Sequence, residues 1–363
     1  MKILCFISTL SGGGAERVMS TVANYLADCI NYDVTIVTDI SHPIVYDISS
    51  KIQILDIEKG KSYPKGLFVR PRHFVRTLFS IYKFYRLKRP DVVISFQTGM
   101  NAMVNMALLL SKAKIISSEH SFYNWKYTQF EELLRKLFYW RANALTVLTR
   151  HDLSLCRSKK KKNVVYMPNP IHIENVHSET RKKTILAAGR LDVWEVKGFD
   201  MLFQIWGMIC KNFPDWKLQI AGTGSDDSIS LIKKMANNYS CINVDFLGFR
   251  KDIKQLLQRT SIFVLTSRHE GSPMVLLEAM QSGCCCVAYD CETGPAEIIK
   301  DSKTGFLVES NNVKQFAEKL KVVLESESLR REFSLRAPNS VKGFSEERVM
   351  KRWKLLIDKV INK

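Results

Sequence analysis

Lys2-Ile3-Leu4-Cys5-Phe6-Ile7-Ser8, then Ser11-Gly12-Gly13-Gly14-Ala15-Glu16-Arg17, then Asp33-Val34-Thr35-Ile36-Val37-Thr38, is the stretch that decides the fold. The first run is apolar after Lys2, as a strand buried on both faces of a parallel sheet requires. Val18, Val22, Leu26 and Ile30 recur at four-residue intervals behind the glycines, the period of a helix with one buried face. Strand, glycine turn, helix and strand make a βαβ unit. The same alternation continues outward. Strands are predicted at Val92–Ser95, Lys114–Ser117, Ala144–Val147 and Val164–Tyr166. The polar stretch 172–183 has no apolar period and reads as a linker. Strands resume at Thr184–Ala187, Trp216–Ala221, Asn243–Phe246, Ile262–Leu265, Val287–Tyr289 and Gly305–Val308. Helices fall between them at Phe199–Asn212, Ser228–Asn237, Ile253–Arg259 and Pro273–Ser282, and a last amphipathic helix covers Glu346–Ile361. The prediction is two doubly wound α/β domains, 1–171 and 184–340, with a C-terminal helix in 341–363.

Composition narrows the function classes. With 363 residues, 46% hydrophobic and 25% charged, the chain is that of an ordinary globular protein of about two domains. Its apolar runs fall short of the roughly 20 residues that span a membrane. The N-terminal apolar stretch reads as a strand and not as a signal peptide. Nine cysteines, three of them consecutive at 284–286 and none in a Cys-x-x-Cys pair, fit neither a zinc site nor a disulfide framework, and point to reduced thiols in a cytoplasm. The net charge is +18 and is unevenly placed: through Pro168 there are 25 basic and 12 acidic residues, and afterwards 29 and 24. The first half therefore suits an anionic partner.

Four motifs carry candidate chemistry. Gly12-Gly13-Gly14 between strand and helix could bring backbone N–H groups to a phosphate, or could be a plain tight turn. Arg190 and Lys197, each beside a glycine, could clamp a diphosphate, or could be two solvated cations. Glu270 and Glu278 bracket a predicted helix start in which Ser272 is the N-cap and Pro273 the first helical residue. His120 follows a strand end and could donate a hydrogen bond to a sugar or phosphate.

In combination these residues resemble the retaining family 4 glycosyltransferases. The resemblance rests on Gly12–Arg17, on Gly189-Arg190-Leu191 with Lys197-Gly198-Phe199-Asp200, and on the Glu270-x7-Glu278 spacing. Asp91–Ser95, Pro168-Asn169-Pro170, Ala221–Gly224 and Phe246-Leu247-Gly248 add to it in order. It implies a GT-B fold, two Rossmann-like domains with the active site in the cleft between them and a last helix, around Trp353, packed back on the first. It implies transfer of a hexose or N-acetylhexosamine from a nucleotide-sugar, UDP-linked in preference to GDP-linked, with retention at the anomeric carbon and no metal or other cofactor.

By the same resemblance Glu278 would hold the donor ribose, and Glu270 and His120 the donor sugar. Arg190 and Lys197 would neutralise the diphosphate, with Ser272, Met274 and Val275 offering the helix N-terminus to it. Gly13 and Gly14 would approach the diphosphate and the acceptor from the first domain, the acceptor and membrane side. Gly248, Phe249 and Arg250 would frame the base. Two departures stand out. Gly271-Ser272-Pro273 replaces the family's frequent Gly-Phe-Gly, which bears on donor identity, and Cys284-Cys285-Cys286 replaces a small-Pro-Val stretch and is expected to be packing.

Lys61–Arg89 holds nine basic residues and no acidic one, interleaved with aromatic and aliphatic side chains; Tyr123–Arg141 is a second aromatic-rich stretch, and Lys159–Lys162 adds charge. Such a mixture suits a helix lying on an anionic membrane surface. An ordinary core helix with a solvated basic face is the other explanation. The expectation is a peripheral enzyme on the cytoplasmic face, extending a lipid-linked saccharide for O-antigen, capsule or lipopolysaccharide. Alternatives are a GT-B nucleotide-sugar epimerase and a basic protein binding membrane or nucleic acid. For nucleic acid the sequence offers no recognition module, and none is expected as a partner.

Overall fold

Continuous apolar runs become buried parallel strands. The structure is a computed structural model that describes residues 1–57, 71–125, 127–159, 162–173 and 181–362. The chain divides into two units, Met1–Pro170 with Glu346–Lys363, and Ile171–Ser345.

The first unit is built on β1 (Lys2–Phe6), β2 (Asp33–Thr38), β3 (Gln53–Asp56), β4 (Val92–Phe96), β5 (Ile115–Ser118), β6 (Ala144–Val147) and β7 (Val164–Tyr166). All pair in parallel, in the order β3-β2-β1-β4-β5-β6-β7. The chain winds outward from β1 to β3, then returns to the other side of β1 and winds outward again. Winding thus reverses between β1 and β4. In open α/β sheets, ligands bind beyond the carboxyl ends of the two strands at such a switch point.

The second unit repeats the plan with β8 (Lys182–Ala188), β9 (Lys217–Ala221), β10 (Val244–Gly248), β11 (Thr260–Leu265), β12 (Cys285–Asp290) and β13 (Phe306–Glu309), in the order β10-β9-β8-β11-β12-β13. Its switch point lies between β8 and β11, and β11 is buried along its whole length. Trp206, Phe203, Phe263 and Phe316 lie fully buried among the aliphatic side chains of this unit.

The helix Glu346–Ile361 belongs to the first unit although it follows the second in sequence. Val349, Met350, Trp353, Leu356, Ile357 and Val360, spaced three or four apart, are its buried face. The Trp353 ring meets Phe96 at 5.8 Å. Strand β8 starts at Lys182, inside the stretch read as linker, because Thr184, Ile185 and Leu186 need the preceding residues to align with β9 and β11. Two helices, Val313–Glu325 and Glu327–Ser340, fill a stretch the motif reading left unassigned.

Candidate functional site

The second unit's switch point is closed by one ion pair. After β8 the chain makes a 3-10 turn, Leu191–Val193, and a single helical turn, Trp194–Lys197. Gly198 then turns it into the helix Phe199–Ile209 with φ +65°. A Cβ at Gly198 would lie 1.9 Å from the Thr266 carbonyl oxygen, so only glycine lets this segment touch the loop after β11. The contact is reinforced on both sides: Arg268 N donates to Val196 O at 2.8 Å, and Thr266 Oγ1 to Lys197 O at 3.3 Å. Arg268 also forks onto both oxygens of Asp200, at 2.8 and 2.6 Å. The result is that Lys197 Nζ donates to Glu270 Oε1 at 2.8 Å, with the Ser267 hydroxyl on the same oxygen at 2.7 Å. The side chains are 26% and 9% exposed. Removing one partner would leave the other charge, partly shielded from water, without its counter-ion. The Lys197 methylenes run over Gly189, and Gly222, at φ +153°, touches the Gly189 carbonyl so closely that a Cβ would lie 1.9 Å from it. The separate glycine motifs are thus one interlocked structure.

Arg190 lies apart from that pair. It follows β8 by two residues, its side chain is 65% exposed, and its carboxylate partner is Asp192 at 3.9 Å. The helix after Glu270 runs Met274–Gln281, and its N-cap is Pro273, with no side-chain cap. Ser272 is therefore not the N-cap, and Pro273 is not the first helical residue: the φ of −69° suits either position, but a ψ of 102° keeps Pro273 extended. Met274 and Val275 open the first turn, where backbone N–H groups lack intrahelical acceptors. Glu278 is half-buried one turn on, between the buried Leu277 and Ala279. Gly248 has φ +66° with open space around its Cα, Phe249 is 59% exposed, and Arg250 is held by Asp252 at 2.8 Å.

In the first unit, Gly13 is the extended N-cap of the helix Gly14–Asp28, which begins at Gly14. The Tyr46 hydroxyl accepts from Gly13 N at 2.9 Å and donates to Gly13 O at 2.8 Å, so the amide expected to face a phosphate is engaged by a side chain of this chain. Gln97, just after β4, donates to Glu16 at 3.0 Å. His120, two residues after β5, stacks on Phe96 at 5.3 Å and shares a 3.0 Å hydrogen bond between its Nε2 and Ser118 Oγ. Beside it lies a buried network that the motif reading missed. Glu119 accepts from the Tyr139 hydroxyl and, at 2.6 Å, from Thr98 Oγ1. Arg135 lies against the rings of Tyr123, Tyr127 and Tyr139 and donates to Tyr123 O at 3.1 Å. Local sequence gives no sign of this network, because its members come from three helices and the loop between β5 and the helix Gln129–Phe138.

Two family models match in tandem, Glycosyltransferase Family 4 over residues 12–175 and Glycosyl transferases group 1 over residues 169–340. The amylovoran biosynthesis glycosyltransferase AmsD of Erwinia amylovora is 31% identical over 97% of this chain and 98% of its own length. The chain belongs to the family 4 glycosyltransferases. Also similar is a Campylobacter jejuni enzyme, 28% identical over 100% of this chain and 99% of its own. It is named GalNAc-alpha-(1->4)-GalNAc-alpha-(1->3)-diNAcBac-PP-undecaprenol alpha-1,4-N-acetyl-D-galactosaminyltransferase. Among solved structures, the pneumococcal O-GlcNAc transferase GtfA in complex with UDP and GlcNAc matches with a TM-score of 0.80 over 100% of this chain and 99% of that one, at 13% identity. The fold is GT-B.

As a glycosyltransferase the chain presents no converging group of three or more His, Cys, Asp or Glu among the described residues. Cys284, Cys285 and Cys286 are buried, and burial pushes the Cys284 thiol up to about 11 and the Cys285 thiol up to about 12, so at neutral pH they are packing groups and not nucleophiles.

Burial lowers the His120 pKa from 6.5 to about 3. The folded protein thus binds fewer protons than the unfolded chain between those values, and stability falls as pH drops through that window. From pH 7.5 to pH 5 this one group should cost roughly 2 kcal/mol. Urea unfolding at the two pH values should show a drop that shrinks by about that amount in His120→Gln; an unchanged difference would mean that His120 protonates as easily folded as unfolded.

Proposed function

We propose that this glycosyltransferase moves a hexose or N-acetylhexosamine from a nucleotide-sugar, UDP-linked in preference to GDP-linked, to a lipid-linked saccharide during surface-polysaccharide assembly. Retention at the anomeric carbon and independence of metal are part of the proposal. The Lys197–Glu270 pair at the switch point carries the reading. Breaking the sugar–phosphate bond builds negative charge on the departing diphosphate, and preorganised donors stabilise that charge best. Lys197 is such a donor, already in place; the exposed Arg190 and the Met274 and Val275 amides that open a helix are proposed to add to it. Glu270 has one oxygen neutralised by Lys197 and Ser267. A carboxylate so paired is a weak nucleophile. This favours front-face departure and attack guided by the leaving phosphate over a covalent intermediate, and leaves Glu270 to hold sugar hydroxyls. Glu278 takes the ribose and the Gly248–Arg250 turn the base, and the family resemblance assigns His120, neutral at working pH, to sugar binding. The names of the similar enzymes support the donor and acceptor classes: one acts on an undecaprenol-linked saccharide and another holds UDP.

Thermal shift with UDP-, GDP- and ADP-sugars tests the donor half. A donor at 100 times its Kd should stabilise the wild type by about 2.7 kcal/mol. The expected result is one UDP-sugar that does so, no effect on Glu278→Ala, and transfer that EDTA leaves intact with an α-linked product from an α-linked donor. No stabilisation by any nucleotide-sugar would overturn the reading, and product formed without acceptor would indicate an epimerase.

The membrane side of the proposal rests on two helices of the first unit, Pro71–Lys88 and Gln129–Phe138. On the first, Thr77 and Ser80 are buried while Val75, Phe79, Tyr82 and Leu87 are exposed, Phe79 at 68%. Ile81 is fully buried and Leu78, Phe84 and Tyr85 pack against the core, so these exposed apolar side chains are carried in addition to an ordinary inner face. Phe130, Leu133 and Leu137 make a similar outward stripe on the second helix, with Trp140 beyond it at 72%, and Phe74 joins the helices by an edge contact with Phe130 at 5.7 Å. Exposed apolar stripes beside many cations suit the surface of an anionic leaflet. The stretch 58–70, which holds part of the basic run, and Lys160 and Lys161 lie outside the described residues. No helix among the described residues is long and apolar enough to cross a membrane. The exposed stripes and the neighbouring cations support a peripheral enzyme on a membrane surface, and the cytoplasmic face is part of the proposal. Wild type should co-sediment with phosphatidylglycerol vesicles and not with phosphatidylcholine vesicles, and a Phe79→Ser, Trp140→Ser double variant should lose at least tenfold in affinity. Equal binding by the variant would leave these helices without that role.

A further inference from the structure

The segment after β8 holds the loop after β11 at Thr266, at Arg268 and at the Glu270 carboxylate. The opposite side of that loop meets the loop after β12, the strand that pairs with β11 on its other edge. Thr293 Oγ1 donates to the main-chain O of Glu270. Gly294, the next residue, has φ +97° and lies against the stretch that leads from Glu270 into the helix Met274–Gln281. A Cβ at Gly294 would fall 2.7 Å from Pro273 Cδ and 3.1 Å from Gly271 O, so glycine is required both by the backbone angle and by the contact.

Three features make this a clamp. Thr293 is 4% exposed although Asp290 and Glu292 in the same loop face water, so its one hydroxyl proton is spent on a carbonyl of the neighbouring loop. Its own carbonyl accepts from the buried Cys291 Sγ at 3.5 Å, which closes the turn that presents the hydroxyl. Pro273 carries the other end. It has no N–H, and its O accepts from Leu276 N at 3.1 Å and from Leu277 N at 3.2 Å, so the helix starts from the very residue that Gly294 touches. Two consecutive residues of one turn therefore hold Glu270 and Pro273. With Lys197 on the carboxylate, they fix how far the Glu270 side chain lies from the Met274 and Val275 amides.

We propose that Thr293 is a positioning residue for the transfer: its hydroxyl sets the main chain of Glu270 while Gly294 sets the helix start, so that one rigid surface meets the donor sugar and the departing diphosphate. Thr293 acts through Glu270 and does not itself touch substrate. Groups held in this way need no rearrangement as charge builds on the leaving group, and a misplacement of about 1 Å can cost roughly 100-fold in rate. The inference rests on the glycosyltransferase reading above, which puts Glu270 against the donor sugar, and adds the loop after β12 to the parts that shape the site.

Thr293→Val keeps the shape of the side chain and removes the hydroxyl, and Thr293→Ser keeps the hydroxyl. Calorimetry gives the affinity for the nucleotide-sugar that stabilises the wild type and for its free nucleoside diphosphate, and donor hydrolysis without acceptor gives kcat. In Thr293→Val the nucleotide-sugar should bind about fivefold more weakly or worse and kcat should fall about tenfold or more, while the nucleoside diphosphate binds within about twofold of wild type. Thr293→Ser should stay within about threefold of wild type in all three. A hydroxyl with a merely structural role cannot produce that split. Its loss would lower Tm and weaken both ligands together, and that result overturns the inference, as does wild-type sugar affinity and kcat in Thr293→Val. A wild type that binds no nucleotide-sugar would instead overturn the parent reading.

Discussion

Lys197 and Glu270 are the interaction on which the rest of the second unit's crest depends. Neither charge is cheap to leave alone at this depth, and together they hold two loops at the one place where the strand order reverses. The glycines follow from that requirement. Gly198 lets the lysine's segment touch the Thr266 carbonyl, Gly189 leaves space for the lysine stem, and Gly222 lets the next loop close over Gly189. What looks in the sequence like scattered glycine and cation motifs is one packing problem with one solution. The same ion pair makes a nucleophilic Glu270 less attractive and a diphosphate-binding Lys197 more so.

The first unit works by a different means. Its crest is built from side-chain hydrogen bonds, a ring stack and strained backbone: Tyr46 brackets Gly13, Gln97 holds Glu16, and His120 rests on Phe96. Phe96 in turn meets Trp353 of the final helix. The helix Glu346–Ile361 thus supports the ring under His120. The Glu119–Tyr139–Thr98 network fixes the loop that follows His120 from the other side.

Much of the architecture was legible in the sequence because parallel strands buried on both faces leave unbroken apolar runs, as at Lys2–Phe6 and Thr260–Leu265. Strand β3 was not, since Gln53–Asp56 is only partly buried at a sheet edge and its side chains carry no such run. At the site, Lys197 and Glu270 were both marked, but not that they bond each other: 73 residues separate them and only the strand order brings them together. Arg190 and Lys197 both follow β8; Lys197 pairs with Glu270, while the exposed Arg190 has Asp192 at 3.9 Å, and no local pattern shows either pairing. Ser272 was read as a cap from its type, whereas the extended Pro273 holds that position. Tyr46, Gln97 and Glu119 were missed because nothing local marks them. A switch-point argument applied to residue 97, the first after a central strand, would have found that one.

In the proposed transfer, Lys197 is the cation that receives the leaving diphosphate. Calorimetric titration of UDP and GDP into wild type and Lys197→Met tests that most directly. The predicted result is a nucleoside diphosphate affinity at least tenfold weaker in the variant, with the affinity for the free nucleoside unchanged. Equal diphosphate affinity in the two proteins would contradict it, and would leave the Lys197–Glu270 pair as a structural tether alone.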